Sequence, residues 1–167
     1  MIRRFALLIV MFTAAAAFAS DQEIRLEVTV PASREDVWKA WTTVEGVKSF
    51  FAGGANIDLR PDGAYEIFFA PEAPEGQRGA DGMRLLLVQP NVALAFTWNA
   101  PGKFANARPQ RTHVMIKLHS ISEKVTKVTL VHDGFGEGEE WHEVRTYFED
   151  AWGNIVLPRL VQSFASK

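Results

Sequence analysis

Cysteine is absent from this sequence. That excludes disulfides, thiolate metal sites, a cysteine nucleophile and a lipid-anchored N-terminal cysteine. An excess of positive charge is missing too: 18 basic residues stand against 20 acidic ones, which leaves no electrostatic footprint for nucleic acid. No serine sits in a Gly-x-Ser-x-Gly elbow, and no glycine-rich phosphate loop follows a strand. Internal repeats and low-complexity tracts are lacking as well. What remains is a weakly acidic chain of 167 residues, long enough for one domain with a real core held together by packing alone.

The longest apolar run is N-terminal, over residues 5–18. Arg3 and Arg4 precede it, and Ala17-Phe18-Ala19 supplies small residues at alternate positions before a cleavage point. The run is short for a span of about twenty residues, and its second half is mostly alanine. This pattern predicts a signal peptide over 1–19, cleaved after Ala19, and a single domain over 20–167. The product would be periplasmic or secreted, with no stable membrane anchor after cleavage.

Ile24, Leu26, Val28 and Val30 alternate with polar residues, the pattern of a half-buried strand. Pro31-Ala32 breaks it, and Ser33 with Glu35 and Asp36 opens a helix whose inner face carries Val37, Ala40, Trp41 and Val44. Residues 42–51 read as a second short helix, with Thr42 and Glu45 as a capping box and Gly46 arguing against a long run. Strands and turns then fill 57–132. Arg60-Pro61-Asp62-Gly63 is a tight turn. Tyr65, Ile67 and Phe69 share a face, as do Leu94, Phe96 and Trp98, and Val114, Ile116 and Leu118. If Val128 and Leu130 face inward, His132 does also. Between the strands lie a proline- and glycine-rich loop, 71–82, and a second irregular stretch, 99–111. A loop of that length is either the lid or mouth of a site or a connector.

The C-terminal stretch organises the rest. Gly134, Gly136 and Gly138 space a lead-in that needs positive φ or close chain approach. Beyond it, Trp141, Val144, Phe148, Ala151, Trp152 and Ile155 recur at helical spacing, continued by Leu160, Val161 and Phe164. Glu139, Glu140 and Glu143 stand where the helix dipole favours carboxylates, and Asn154 and Pro158 mark an expected bend. The order of strand, two short helices, about six antiparallel strands and one long helix predicts an α+β fold: a curved antiparallel sheet wrapped around a long C-terminal helix. The tapering space between sheet and helix is filled either by side chains or by a ligand.

Three segments carry a family resemblance. They are Val30-Pro-Ala-Ser-Arg-Glu-Asp-Val-Trp-Lys-Ala-Trp-Thr-Thr43, Leu94-Ala-Phe-Thr-Trp98 after the Pro90 turn, and Thr129-Leu-Val-His-Asp-Gly-Phe135 followed by the helix with Trp152-Gly-Asn154. Together they resemble the START-like, helix-grip superfamily known as SRPBCC, in the branch named after the activator of the Hsp ATPase. The likeness covers about residues 23–165 and implies a fold that commonly holds an apolar small molecule. Where the branch often has a Trp-Trp or Trp-Phe pair, this chain reads Ser49-Phe50-Phe51-Ala52. The name-giving co-chaperone acts on a cytosolic ATPase, which an exported chain does not meet.

Polar candidates are few. His113 and His119 share a strand face but lie roughly 20 Å apart at about 3.3 Å per residue, too far to share an ion. His132 and His142 could approach, with Asp133, Glu139 or Glu143 nearby, but the ligand spacing is loose for zinc. No metal and no cofactor is expected. Tyr65, Arg84 and His132 could project into an apolar cavity and orient a ligand, or serve as a core phenol, a sheet-edge cap and a satisfied histidine. The expected ligand wall is Phe51, Tyr65, Phe69, Trp98, Trp141, Phe148 and Trp152, with Arg84 or His132 as polar anchor. The expected function is binding of an apolar or amphipathic small molecule. The alternatives are an enzyme of cyclase, dehydratase or hydrolase type using His132 or a nearby carboxylate as base, and a protein-interaction module.

Overall fold

Elements follow one another as β1 (Ile24–Val30), α1 (Arg34–Thr42), α2 (Val44–Phe50), β2 (Gly54–Ile57), β3 (Tyr65–Phe68), β4 (Leu85–Gln89), β5 (Ala93–Trp98), β6 (Thr112–Ser122), β7 (Val125–Asp133), α3 (Glu139–Asp150) and α4 (Leu157–Ala165) in the computed structural model. The structure describes residues 23–165, and the signal-peptide reading of residues 1–19 lies outside them. A five-stranded antiparallel sheet has the order β1-β7-β6-β5-β4, so the first strand lies beside the last. Its inward residues alternate as expected: Leu94, Phe96, Trp98, Val114, Ile116, Leu118, Val128, Leu130 and His132 are all buried. The long helix covers that face with Trp141, Val144, Phe148, Trp152 and Leu160.

The strands after the short helices do not form one continuous series. β2 and β3 pair only with each other, because the 71–82 loop separates β3 from β4. Three backbone links stitch the hairpin back to the large sheet, Tyr65 N–H to Met83 O and Leu85 N–H to Gly63 O, each 2.9 Å, and Asp62 N–H to Leu85 O at 2.8 Å.

Ser33 caps α1, its hydroxyl accepting from Asp36 N–H at 3.1 Å. The second cap falls one residue later than expected. Thr43 is extended and accepts from Gly46 N–H at 3.0 Å, whereas Thr42 is still helical and donates its hydroxyl to Trp38 O. Glycine is required at 46 because a Cβ there would run into the backbone of Lys39 and Ala40, so α2 can pack tightly against α1.

Between α3 and α4 the helix widens into one π-helical turn, Ala151–Val156, with Leu157 N–H reaching back five residues to Trp152 O. Pro158 supplies the reason: it has no N–H to donate, and its ring crowds the carbonyl four residues earlier. The expected bend at Asn154–Pro158 is thus a widened turn. It carries Val156 and Leu157 inward and leaves Ile155 40% exposed, although Ile155 falls on the apolar stripe of a regular helix. In the lead-in, Gly134 and Gly138 have positive φ, and Gly136 leaves room for the Trp141 indole.

Candidate functional site

Five of the expected wall residues converge on one cluster. Phe51, one residue beyond α2, stacks on Trp98 at 5.9 Å between ring centroids and lies 5.6 Å from Trp152. Trp98 and Trp152 are 5.8 Å apart, and Phe148 stacks on Trp152 at 6.3 Å. Phe69, just past β3, meets Phe51 and Trp98 edge-on at 5.7 and 6.4 Å. Four of these rings are almost fully buried, but Phe69 is 53% exposed. The cluster is therefore open on one side.

That side is an open cleft of about 660 Å³. The five aromatic residues, with Tyr147 and Ile155, make its apolar wall. Both irregular stretches of sequence reach its mouth, through Gly76–Gly79 of one and Asn99–Gly102 with Arg108 of the other. Asp81 organises the first, accepting from Gly76 N–H, Gly79 N–H and Arg78 Nε. Burial acts to raise the Asp81 carboxyl, but these hydrogen bonds outweigh it and hold it below its ordinary value. Glu140 at the start of α3 anchors the second, accepting from the Asn106 amide group and from the backbone N–H groups of Asn106 and Ala107. Those bonds, the Asn106 side chain first, lower the Glu140 pKa. Arg108 ties the two loops together, donating to Ala100 O, Gly79 O and Gly76 O at 2.7, 3.2 and 3.4 Å.

A second, more open depression of about 540 Å³ adjoins the cleft and shares Phe51, Phe69 and Arg159 with it. Its other lining includes Lys48, Ser49 and Ser163. Arg159 projects from α4 on the side of Trp152 and Ile155. It makes no hydrogen bond or ion pair with any described residue.

His132 lies outside the cleft lining, sealed behind Trp152. The Trp152 indole N–H, which can only donate, gives its hydrogen to His132 Nδ1 at 3.0 Å. This fixes the tautomer: Nε2 carries the proton and donates to Thr112 Oγ1 at 2.8 Å, and the Thr112 hydroxyl donates to Trp98 O. Burial first, and the nearby His113 second, lower the His132 pKa to about 3. A neutral imidazole with both nitrogens engaged holds two cleft walls together. Its lone pair is not free to take a proton from a ligand.

The family described as "Activator of Hsp90 ATPase homolog 1-like protein" matches residues 31–165. The chain belongs to this family. No curated protein matches it. Among solved structures it is similar to protein MLL2253 from Mesorhizobium loti, at 17% identity over 87% of this chain and 98% of that one, with a TM-score of 0.69. It is also similar to CalU16 from Micromonospora echinospora, at 20% identity over 85% and 75% of the two chains and TM-score 0.64. A third relative is PFC0360w, an HSP90 activator from Plasmodium falciparum, at 14% identity over 83% and 93%, TM-score 0.63. At these identities the likeness shows the shared fold.

Within this Hsp90-activator-like domain, four other expected site residues sit elsewhere. Arg84, just before β4, is exposed and donates to Asp62 O at 3.0 Å, because its neighbours Met83 and Leu85 take the inner face. Tyr65 is fully buried, its hydroxyl donating to Trp41 O at 2.8 Å. Trp141 packs edge-on against Phe135 at 6.4 Å, away from the cleft. His132 is the sealed histidine just described, and its engaged nitrogens also rule out a metal shared with the exposed His142. Among the described residues, no three histidine or carboxylate side chains converge on a metal position. Arg108, Arg159, Tyr147 and Asn99 line the cleft without having been singled out in the sequence. Two of them carried a readable signal: Tyr147 and Arg159 fall at four-residue spacing with Ala151 and Ile155, on the stripe that faces the cleft.

Proposed function

We propose that this family domain holds an apolar or amphipathic small molecule in the cleft between the long helix and the loop-bearing edge of the sheet. The observation that carries this reading is the open aromatic wall. Of the seven large apolar side chains that are exposed among the described residues, Phe69, Tyr147 and Ile155 all border this one cleft. Covering the exposed half of the Phe69 ring is favourable by about 1–1.5 kcal/mol. A volume of about 660 Å³ falls in the range of small-molecule sites, about 300–1,000 Å³. No general base faces the cleft from His132, so the reading is of a binder rather than of an enzyme.

The test is native mass spectrometry of protein purified from an exporting host, followed by solvent extraction of whatever co-purifies. A stoichiometric adduct released by organic solvent supports the proposal. A clean apo mass, joined to a failure to take up apolar fluorescent dyes, would overturn it in favour of an interaction module.

Export is part of the same proposal. It rests on the basic, apolar and small-residue pattern of residues 1–19. N-terminal sequencing of the mature protein should begin at Ser20, and an intact Met1 in the cytosolic fraction would sink the idea.

A further inference from the structure

The charge around the cleft is one-sided. Arg78, Arg108 and Arg159 line it, Lys48 lines the adjoining depression, and neither lining contains a carboxylate. The chain as a whole has more acidic than basic residues, 20 against 18, so this bias is local. The four cations are not equivalent. Arg78 is balanced by Asp81 at 2.7 Å and lies over the Phe68 ring. Arg108 has only backbone carbonyls as partners and is held by them in the loops. Arg159 has no partner among the described residues and borders both depressions, beside the exposed Phe69.

We propose that the cleft selects an amphiphile with an anionic head, a carboxylate or phosphate, held at Arg159 with its apolar part on Phe51, Phe69, Trp98 and Trp152. This rests on the reading that the cleft takes an amphipathic small molecule, and it adds the sign and place of the head group. The chemistry is direct. A guanidinium offers a planar fork of donors that matches carboxylate and phosphate oxygens. A cation in a lining without carboxylates has no internal competitor for that anion. An ammonium head, by contrast, would meet the like charges of Arg108 and Arg159 and no carboxylate in the lining.

The experiment is calorimetric titration of the purified protein with four probes of equal chain length, below their micelle concentrations: decanoate, decyl phosphate, decanol and decyltrimethylammonium. Both anions should bind about tenfold or more tighter than decanol, and the ammonium weakest. In R159Q the gain of the anions over decanol should largely vanish while decanol affinity stays as in the parent. In R84Q, an arginine lost outside the cleft, the anion preference should persist. A tighter grip on decanoate than on decyl phosphate identifies a carboxylate head, and the reverse a phosphate, both within the proposal. Decanol binding as tightly as the anions would overturn the anionic head and leave the apolar cleft standing. Binding of none of the four would overturn the cleft reading itself. An anion preference kept in R159Q, or lost in R84Q, would overturn the assignment to Arg159.

Discussion

Two aromatic regions share the Trp152 side chain and behave in opposite ways. Behind Trp152, toward the sheet, His132 packs against Phe135 and Phe148 at 4.5 and 4.7 Å between ring centroids, with Thr112 completing its hydrogen bonds. There every ring is buried and every histidine nitrogen has a partner. In front of Trp152, toward solvent, Phe69 is half exposed and Arg159 has neither hydrogen bond nor ion pair among the described residues. Both regions look alike in composition. The difference teaches that satisfaction, rather than residue type, separates structure from site. A polar group in a closed core must be paired, because leaving it unpaired costs about 1–3 kcal/mol. Apolar rings and a cation left open to water are groups for which a ligand can supply the missing partner.

The largest effect expected on that contrast comes from Trp152, which belongs to both regions. Replacing it with alanine removes contacts to Phe51, Trp98 and Phe148 and leaves His132 Nδ1 without its donor. Urea unfolding should show a loss of about 3–5 kcal/mol. A loss below about 1 kcal/mol would mean that the sealed side is not built around this indole.

Acid should then strike the sealed side first. His132 remains neutral in the folded protein down to about pH 3, while in the unfolded chain it takes a proton below about pH 6.5. The unfolded state therefore binds more protons between these values, and stability falls as the pH drops through that window. The contribution is present in full above about pH 6.5 and on the order of a few kcal/mol is lost near pH 3. Unfolding free energies measured from pH 7 to pH 4 should slope less steeply in a His132→Gln variant than in the parent. Parallel slopes would contradict the sealed, neutral imidazole.

Thr112→Val keeps the shape but strips the acceptor from His132 Nε2. A destabilisation of about 1–3 kcal/mol is expected in chemical denaturation, with binding at the cleft unchanged. Smallest in stability, and sharpest as a test of the open side, is Phe69→Ala. Its folding free energy should move by less than about 1 kcal/mol, as for a surface residue. Affinity for decanoate should fall by about tenfold. If stability fell as far as for Trp152→Ala, the two regions would be one core and the contrast would fail.

Much of this was legible in order along the chain. Period-two alternation named the buried faces of β1, β5, β6 and β7, since neighbouring side chains in a strand must point oppositely. Ser33 disclosed a helix start, whereas Gly46, read as limiting the second helix, lies inside it and serves its close packing on α1. The aromatic members of the site were visible too, because Phe69, Trp98, Phe148 and Trp152 sit on recognisable apolar faces and Phe51 stands where the family branch often has an aromatic pair. Their partition was not. Tyr65 and Trp141 lie on equally apolar faces yet end in the closed core, as periodicity reports that a face is covered without reporting by what.

Local sequence determined the strands, the short helices, the long helix and the inward turn of His132, because these depend on backbone geometry and on neighbours within a turn or a strand. Tertiary structure alone decided the rest. It turned Arg84 out and brought Arg108 to the mouth from an irregular stretch. It joined His132 to Thr112 and Trp152, each twenty residues away, and it left Phe69 uncovered. Those outcomes depend on which surfaces meet after β1 closes on β7 and the helix lies across the sheet, and no spacing along the chain encodes that meeting.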